Sequence, residues 1–330
     1  MQRRFAVASS PHLHEGNSTR RIMQDVCIAL APAGLAGIWF FGLRAAVLML
    51  AAVLSAVAAE WFYQRHAKKP VTVGDWSAVV TGLLIAYNLP ANAPVWLAMV
   101  GSVFAIVVVK QFFGGIGQNF INPALAARAV LAASWAGLMT TFVMPQGGSW
   151  LLGWGEVVDA VSAATPLAVE AGGELTYSLG ALFLGNVPGC LGETSKLALL
   201  LGGVYLLWRR VISWRIPVCF MGTLLVLSLV QTGTFYSVEA GAQSALYQLL
   251  SGGLILGALF MATDYASAPI TGIGQIVYGI GCGAVLFCLR AFNPTLNEAC
   301  TYAILVMNCA APLIERATRP RYFGEVKNRA

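Results

Sequence analysis

The sequence contains few charged residues. Only 10% of its 330 residues are Asp, Glu, Lys or Arg, against about 25% in soluble domains. Hydrophobic residues make up 58% of the chain, and the mean hydropathy is +0.73. This balance excludes a large soluble catalytic domain, a disordered chain and a nucleic-acid-binding module. The net charge of +6 is therefore expected to report membrane sidedness rather than polyanion binding.

Motifs typical of metal centres and catalytic sites are also missing. The seven cysteines form no C-x-x-C pair, so neither an iron–sulfur centre nor a disulfide framework is predicted. They are expected to be small apolar packing residues. The three histidines lie in polar segments, and we expect no catalytic residue and no metal site on this chain. A signal peptide is not expected, because the polar N-terminal segment is too long.

Charge-free runs predict about ten transmembrane helices, since one span needs about 20 apolar residues. Basic residues follow the second, sixth and tenth runs, which predicts that both termini are cytoplasmic. The long connection after the fifth run lacks lysine and arginine and is then extracytoplasmic. The runs cover residues 26–43, 45–59, 77–88, 94–113, 119–141, 193–208, 216–232, 246–262, 272–289 and 298–314.

The runs divide into two similar halves. The segment Thr81-Gly-Leu-Leu-Ile85 resembles Gly252-Gly-Leu-Ile-Leu256, and Asn122-Pro123 resembles Asn293-Pro294. Five spans per half predict an inverted repeat, in which interrupted helices often flank a midplane site. Chance similarity between apolar segments is the alternative. The expected regions are a cytoplasmic segment (1–25), a first membrane repeat (26–141), an extracytoplasmic loop (142–192), a second membrane repeat (193–315) and a cytoplasmic tail (316–330).

Ionisable residues in or near membrane spans are candidates for function. Asp264 follows the eighth run, Asp75 precedes the third, and Lys110 and Arg128 flank a glycine-rich turn. Each is a candidate for contact with a cation or a phosphate in a midplane cavity. The alternative is a helix cap or an interfacial anchor. That alternative is favoured for Asp75, and both interpretations stay open for Asp264. It is also favoured for two further carboxylates, Glu193 and Glu298.

The long connection contains the string Val158-Asp-Ala-Val-Ser-Ala-Ala-Thr-Pro-Leu167. Its threonine is held extended by the following proline, so its hydroxyl is expected to be accessible to a modifying enzyme. Taken alone, a Ser-x-x-Thr-Pro string is common in loops.

Longer motifs carry a resemblance to a known family. The chain resembles the D subunits of Rnf complexes, the ion-translocating ferredoxin:NAD oxidoreductases. More weakly, it is similar to the B subunits of sodium-pumping NADH:quinone reductases. The motifs are Ser10-Pro-His12, Gly74-Asp-Trp-Ser-Ala-Val-Val-Thr-Gly82, Gly114-Gly-Ile-Gly-Gln-Asn119, Pro188-Gly-Cys-Leu-Gly-Glu-Thr-Ser195 and Phe260-Met-Ala-Thr-Asp264.

The resemblance implies an all-α membrane fold like that of urea and ammonium channels. It also implies an FMN joined through its phosphate to the threonine of a motif resembling Asp-x-x-Ser-Gly-Ala-Thr. That motif maps onto Asp159, Ser162, Ala164 and Thr165, with Ala163 where the family usually has glycine. A second, non-covalent flavin such as riboflavin is compatible with the family.

The expected function is electron relay coupled to Na⁺ or H⁺ translocation across the cytoplasmic (inner) membrane of a bacterium or archaeon. The resemblance implies the A, B, C, E and G subunits of an Rnf complex as partners, a flavin transferase for maturation, and an extracytoplasmic Thr165. No nucleic-acid partner is expected. The alternatives are a stand-alone urea or ammonium channel and a purely structural scaffold protein. The attachment motif argues against a channel, which has no use for it.

Overall fold

The computed structural model describes residues 18–145, 165–167, 177–233, 238–293 and 299–320. Within these residues the chain is helical and contains no β-strand, and Pro90 and Cys190 form an isolated antiparallel bridge. The α-helices in the described part of the chain are α1 (Thr19–Phe41), α2 (Leu43–His66), α3 (Ser77–Tyr87), α4 (Val95–Phe104), α5 (Pro123–Ser134), α6 (Ala136–Met139), α7 (Leu179–Leu184), α8 (Lys196–Trp208), α9 (Arg215–Gly233), α10 (Val238–Leu250), α11 (Leu254–Leu256), α12 (Gly272–Phe292) and α13 (Ala299–Thr318). The π-helical segments Ala105–Gln111 and Gly257–Met261 continue α4 and α11.

Each of the ten predicted runs contains a helix. Three helices, α1, α2 and α12, are long and apolar enough to cross a membrane. The pair Ser244–Leu250 and Leu254–Met261 meets the same criterion together but is bent by 60°. The shorter apolar helices are Ser77–Tyr87, Val95–Gln111, Pro123–Ser134, Lys196–Trp208 and Arg215–Gln231. The described chain is therefore all-helical with several membrane-type helices, and the count of ten spans stays a prediction.

Local sequence determines where the helices begin. Asn122 Oδ1 accepts hydrogen bonds from the amides of Ala124 and Leu125 at 3.0 and 3.3 Å, and Pro123 is the first residue of α5. The cap satisfies amides that lack a partner in the first turn, and a proline there loses no hydrogen bond. Between α1 and α2 the chain reverses at Gly42, whose φ of 74° favours glycine.

The first helix begins earlier than predicted, at Thr19 rather than at residue 26. Its polar first turns have partners in the bundle. Asp25 lies 3.1 Å from Arg209 Nη2 and accepts a hydrogen bond from Tyr205 Oη at 2.9 Å. The helix therefore starts inside the segment that was expected to be cytoplasmic, because Asp25 is paired rather than solvated.

Contacts between connections define one end of the bundle, which we call the basic end. The pair of Asp25 and Arg209 joins the start of α1 to the end of α8. The hydroxyls of Thr271 and Thr318 are 2.6 Å apart and join the start of α12 to the end of α13. Tyr265 Oη, after α11, donates to the carbonyl of Val211, after α8. Exposed basic residues of the connections and termini include Arg65, Lys68, Lys69, Arg210, Arg316 and Arg319.

The core runs through both halves of the chain. Tyr87 on α3 is buried and donates to the carbonyl of Leu30 on α1 at 2.7 Å. Phe220 and Tyr278 are equally buried in the second half, where α9 packs along α12. Helix α1 packs along α8, and α5 contacts α13. The polar cavities described next lie beside these contacts between the halves.

Candidate functional site

A cavity of about 100 Å³ opens between the two halves near the basic end. This volume is large enough for several water molecules. We call it the basic-end cavity. Its polar lining comes from α3, the π-helical segment after α4, the turn before α5 and the connection after α11: Ser77, Thr81, Lys110, Asn119, Asn122, Thr263 and Asp264.

Lys110 lies on the π-helical segment that continues α4 and is 3% exposed. Its Nζ donates to Glu60 Oε1 at 2.8 Å and to Ser77 Oγ at 2.6 Å. A buried ammonium needs such partners, because an isolated charge inside a protein is costly. Lys110 therefore neutralises Glu60 and also lines the basic-end cavity.

Glu60 is a site residue that the sequence did not indicate, and it is fully buried on α2. Its Oε1 also accepts from Gln64 Nε2 at 3.3 Å and from Gln111 Nε2 at 2.7 Å. Its Oε2 has no hydrogen-bond partner among the described residues. Glu60 ends a charge-free run, a position typical of an interfacial anchor. Its lysine is 50 residues away in the sequence, so no local signal marks the pair.

Asp264 follows the π-helical segment of α11 and lines the basic-end cavity. Its Oδ2 accepts from Ser267 Oγ at 3.1 Å and from Asn119 Nδ2 at 3.3 Å. Loss of contact with water raises the pKa of the Asp264 carboxyl above its ordinary value, and the two hydrogen bonds partly oppose this rise. Asp264 is therefore placed where a cation in the cavity would meet a carboxylate.

Asp75 lies one residue before Trp76, the N-cap residue of α3. Its Oδ1 accepts from the amide of Ser77 at 2.8 Å and from Ser77 Oγ at 2.5 Å. The same hydroxyl oxygen accepts from Lys110 Nζ. Asp75 is thus connected to the basic-end cavity through Ser77, which lines the cavity itself.

A second pocket contains Thr165, and we call it the Thr165 pocket. The threonine is 7% exposed, whereas the sequence predicted an accessible hydroxyl. Pro166 and Leu167 line the pocket with it, and Tyr247 Oη donates to the carbonyl of Pro166 at 3.4 Å. The cavity has a volume of about 20 Å³, enough for one water molecule.

Arg128 lines the Thr165 pocket and not the basic-end cavity, although the sequence places it beside the same turn as Lys110. Arg128 lies six residues after Asn122, about 9 Å along α5 at the standard helical rise. Its Nη1 donates to Asn88 Oδ1 at 2.7 Å and its Nη2 to Cys190 Sγ at 3.5 Å. The two cations therefore lie in different cavities.

The residues around the start of α8 complete the polar lining of the pocket. Glu193, Thr194 and Lys196 line it, with Ser195 as the N-cap of the helix. Lys196 is 2% exposed, and its Nζ donates to the carbonyls of Glu193 and of Gly252, the latter at 2.9 Å. Glu193 Oε1 accepts from the amide of Cys190 at 3.0 Å. The pocket thus combines two cations, one carboxylate and two threonine residues.

Several predicted residues lie outside the described part of the chain. They are Asp159, Ser162, Ala163 and Ala164 of the attachment motif, and Glu298 before α13. The placement of the motif therefore rests on Thr165, which does lie among the described residues.

Comparison with known proteins gives a consistent match over almost the whole chain. The model of the NQR2, RnfD, RnfE family matches residues 6–324. The chain is 50% identical to the D subunit of the Na(+)-translocating ferredoxin:NAD(+) oxidoreductase complex of Acetobacterium woodii, over 98% of this chain and 96% of the relative. It is 38% identical to the D subunit of the proton-translocating ferredoxin:NAD(+) oxidoreductase complex of Clostridium ljungdahlii, over 97% and 96%. It is 35% identical to the D subunit of the ion-translocating oxidoreductase complex of Escherichia coli, over 98% and 99%. The chain belongs to the NQR2, RnfD, RnfE family.

Proposed function

We propose that this chain is the membrane-embedded D subunit of an ion-translocating ferredoxin:NAD oxidoreductase complex. The observation that carries the proposal is the match to relatives of that name, which covers nearly the full length of both chains. The A, B, C, E and G subunits of an Rnf complex are the proposed partners, and the ferredoxin and NAD sites are assigned to them.

The proposed orientation places the basic end in the cytoplasm of a bacterial or archaeal cell, as the positive-inside rule expects. Support comes from the contacts that gather the start of α1 and the connections after α8, α11 and α13 at that end. Related packing in the two halves supports the inverted repeat. Helix α2 packs on α3 and α4, and α9 packs on α10 and α12. Ten spans in two repeats are the architecture proposed on this basis.

The second part of the proposal is an FMN esterified to Thr165 by a flavin transferase, which would take the FMN from a dinucleotide donor such as FAD and release AMP as the threonine hydroxyl loses its proton. The residues around Thr165 suit a phosphate, because Arg128 and Lys196 both line its pocket and such cations form strong hydrogen bonds to phosphate oxygens. When bound, the flavin supplies one- and two-electron transfer. The chain's own residues hold the attachment point and exclude water from it. A second, non-covalent flavin stays a prediction without an assigned residue.

The translocated ion is proposed to be Na⁺ or H⁺, since relatives are named for each. The basic-end cavity, with Asp264 in its lining, is the proposed entry for that cation. An intramembrane or interfacial carboxylate is a common element of ion pathways.

The experiment that tests the proposal is in-gel flavin fluorescence after denaturing electrophoresis. The chain is co-expressed with an active flavin transferase, in wild-type form and as Thr165→Ala. We expect a fluorescent wild-type band and complete loss of fluorescence in the variant, because only a covalently attached flavin survives denaturation. Thr140→Ala, which removes an exposed threonine hydroxyl outside the attachment motif, is the matched control and should stay fluorescent.

If the wild-type band is dark although the transferase is active on another substrate, the Ala163→Gly variant is tested in the same assay. Fluorescence restored by that change would keep Thr165 as the anchor and assign the block to the Ala163 methyl. Darkness in both proteins would contradict flavin attachment and favour a channel or a scaffold protein. A liposome flux assay with urea and ammonium then separates these two.

A further inference from the structure

We propose that the Thr165 pocket is an anion site in which Lys196 and Thr194 donate to the phosphodiester formed on Thr165 and Arg128 contributes positive charge. The inference rests on the proposed flavin attachment and goes beyond it, because it assigns the residues that receive the phosphate. Four features of the pocket support it: the charge of the lining, the available donors, the adjoining helix and the space beside Thr165.

The charge of the pocket lining matches a phosphodiester. Its charged side chains in the described part of the chain are Arg128, Lys196 and Glu193, which together carry one positive charge in excess. A phosphodiester carries one negative charge. Since uncompensated charge in a buried site is costly, an anion of this charge would be stabilised there.

Two side chains of the lining, Lys196 and Thr194, have hydrogen-bond donors that no contact among the described residues uses. An ammonium has three N–H donors, and Lys196 Nζ gives two of them to the carbonyls of Glu193 and Gly252. Thr194 is 1% exposed, and its Oγ1 has no hydrogen-bond partner among the described residues. A buried hydroxyl without a partner costs free energy, and a phosphate oxygen at this pocket would remove that cost.

The start of α8 adds to the attraction for an anion. This helix of 13 residues begins at Lys196 and is capped by Ser195, and Thr194 immediately precedes the cap. The N-terminal end of a helix carries about half a positive charge. Thr194 and Lys196, on either side of the capping residue, both line the pocket.

The space beside Thr165 determines how the phosphate must enter. The cavity of about 20 Å³ holds one water molecule, and a phosphate group is larger. Esterification of Thr165 therefore requires residues 165–167 to shift away from the rest of the pocket lining. The contact of Tyr247 with Pro166, at 3.4 Å, is a long hydrogen bond that such a shift would break.

The first test measures how much flavin attachment stabilises the protein. Wild-type and variant chains are purified with and without transferase co-expression, and the melting temperature of each is followed by tryptophan fluorescence. We expect attachment to raise the melting temperature of the wild type, and Thr194→Val and Lys196→Met to reduce that gain by at least half. Thr301→Val is the matched control, because Thr301 Oγ1 is equally buried and has no partner among the described residues, yet lies outside the pocket.

The second test does not depend on flavin attachment and uses inorganic phosphate as the probe. Unmodified Thr165→Ala protein is titrated with phosphate against chloride at equal ionic strength. We expect phosphate to raise the melting temperature, with affinity roughly tenfold weaker when Thr194→Val is added, the effect of losing one hydrogen bond to a charged group. Because Thr194→Val is isosteric, this variant tests the pocket even if Lys196→Met does not fold.

The outcomes separate the two proposals. Attached flavin with an unchanged stability gain in Thr194→Val, and no response to phosphate, would overturn the anion pocket and leave the flavin site intact. Stabilisation by phosphate that depends on Thr194, in a chain that accepts no flavin, would support the pocket and contradict the attachment. A gain reduced equally by Thr301→Val would overturn the assignment of Thr194.

Discussion

The basic-end cavity and the Thr165 pocket differ in the sign of the charge that predominates among the described side chains around them. In the described part of the chain, Lys110 at the basic-end cavity is accompanied by three carboxylates, Glu60, Asp75 and Asp264. At the Thr165 pocket, two cations accompany the single carboxylate of Glu193. Around the basic-end cavity the described carboxylates therefore outnumber the cation, although only Lys110 and Asp264 line it, whereas cations outnumber the carboxylate in the lining of the Thr165 pocket. Such a separation suits a protein that moves a cation and also holds a phosphate.

Two cations near the Thr165 pocket, Arg290 and Lys196, also bind backbone carbonyls at the end of a helix. Helix α10 ends at a bend, where backbone carbonyls lose their helical partners. Arg290 donates to the carbonyls of Gln248 and Ser251 at 2.6 and 3.1 Å, and Lys196 donates to that of Gly252. Positive charge at a helix C-terminus is favourable. Lys196 therefore binds a carbonyl at the break in the helix and also lines the Thr165 pocket.

The largest expected effect comes from breaking the charge pair of the basic-end cavity. Lys110→Met leaves the Glu60 carboxylate buried without its ammonium, which costs about 3–5 kcal/mol of unfolding free energy. Lys196→Met should cost less, because Lys196 donates to backbone carbonyls and not to a carboxylate in the described structure. Reversible unfolding in mixed micelles measures both variants.

The double variant Glu60→Gln/Lys110→Met is the control for this prediction. It removes both charges and should recover most of the stability lost in Lys110→Met. Equal losses in Lys110→Met and Lys196→Met would show that the two cavities do not differ in the way their charges are compensated.

A smaller effect is expected where a carboxylate only caps a helix. Asp75→Ala removes the acceptor for the Ser77 amide and should cost about 1 kcal/mol, measured in the same unfolding assay. Asp75→Asn keeps a capping oxygen and should recover most of this loss. If Asp75→Asn is as damaging as Asp75→Ala, the charge of Asp75 matters to the basic-end cavity beyond its capping role.

The smallest effect concerns pH and Asp264. Its pKa in the folded chain is raised above the ordinary value of about 3.9, so the folded state binds this proton more tightly than the unfolded state. Its contribution to stability is therefore greatest below about pH 4 and falls as the pH rises through the raised pKa. Asp264→Asn lacks this contribution. The melting temperature of the variant should therefore increase relative to that of the wild type as the pH rises. Parallel curves would show that the pKa of Asp264 is not raised in the folded chain.

The positions of the helices could be predicted because they depend on local properties. Charge-free runs located every helix from α1 to α5, and Asn122 with Pro123 marked the start of α5. The ion pair of Glu60 and Lys110 could not be predicted, since it depends on how α2 packs against the π-helical segment after α4. No periodicity in the sequence indicates a π-helical turn, and such turns change which side chains face inward.

The candidate sites show the same limit. Arg128 and Lys110 are close in sequence but lie in different cavities, because α5 carries Arg128 along its axis. Burial of Thr165 was not predicted either, since a Thr-Pro pair in a long loop normally indicates an exposed segment. The partners of Arg128, Asn88 and Cys190, and the partner of the Thr165 segment, Tyr247, are distant in sequence, so local sequence patterns do not indicate them.

The burial of Thr165 has a consequence for biosynthesis. An enzyme that modifies this hydroxyl cannot reach it once residues 165–167 have packed against Tyr247 and the pocket lining. Modification must therefore occur before packing, or during a transient opening of this segment. Under the proposed attachment, the yield of flavin-carrying protein would then depend on the relative rates of folding and modification, and so on the abundance of the modifying enzyme during synthesis.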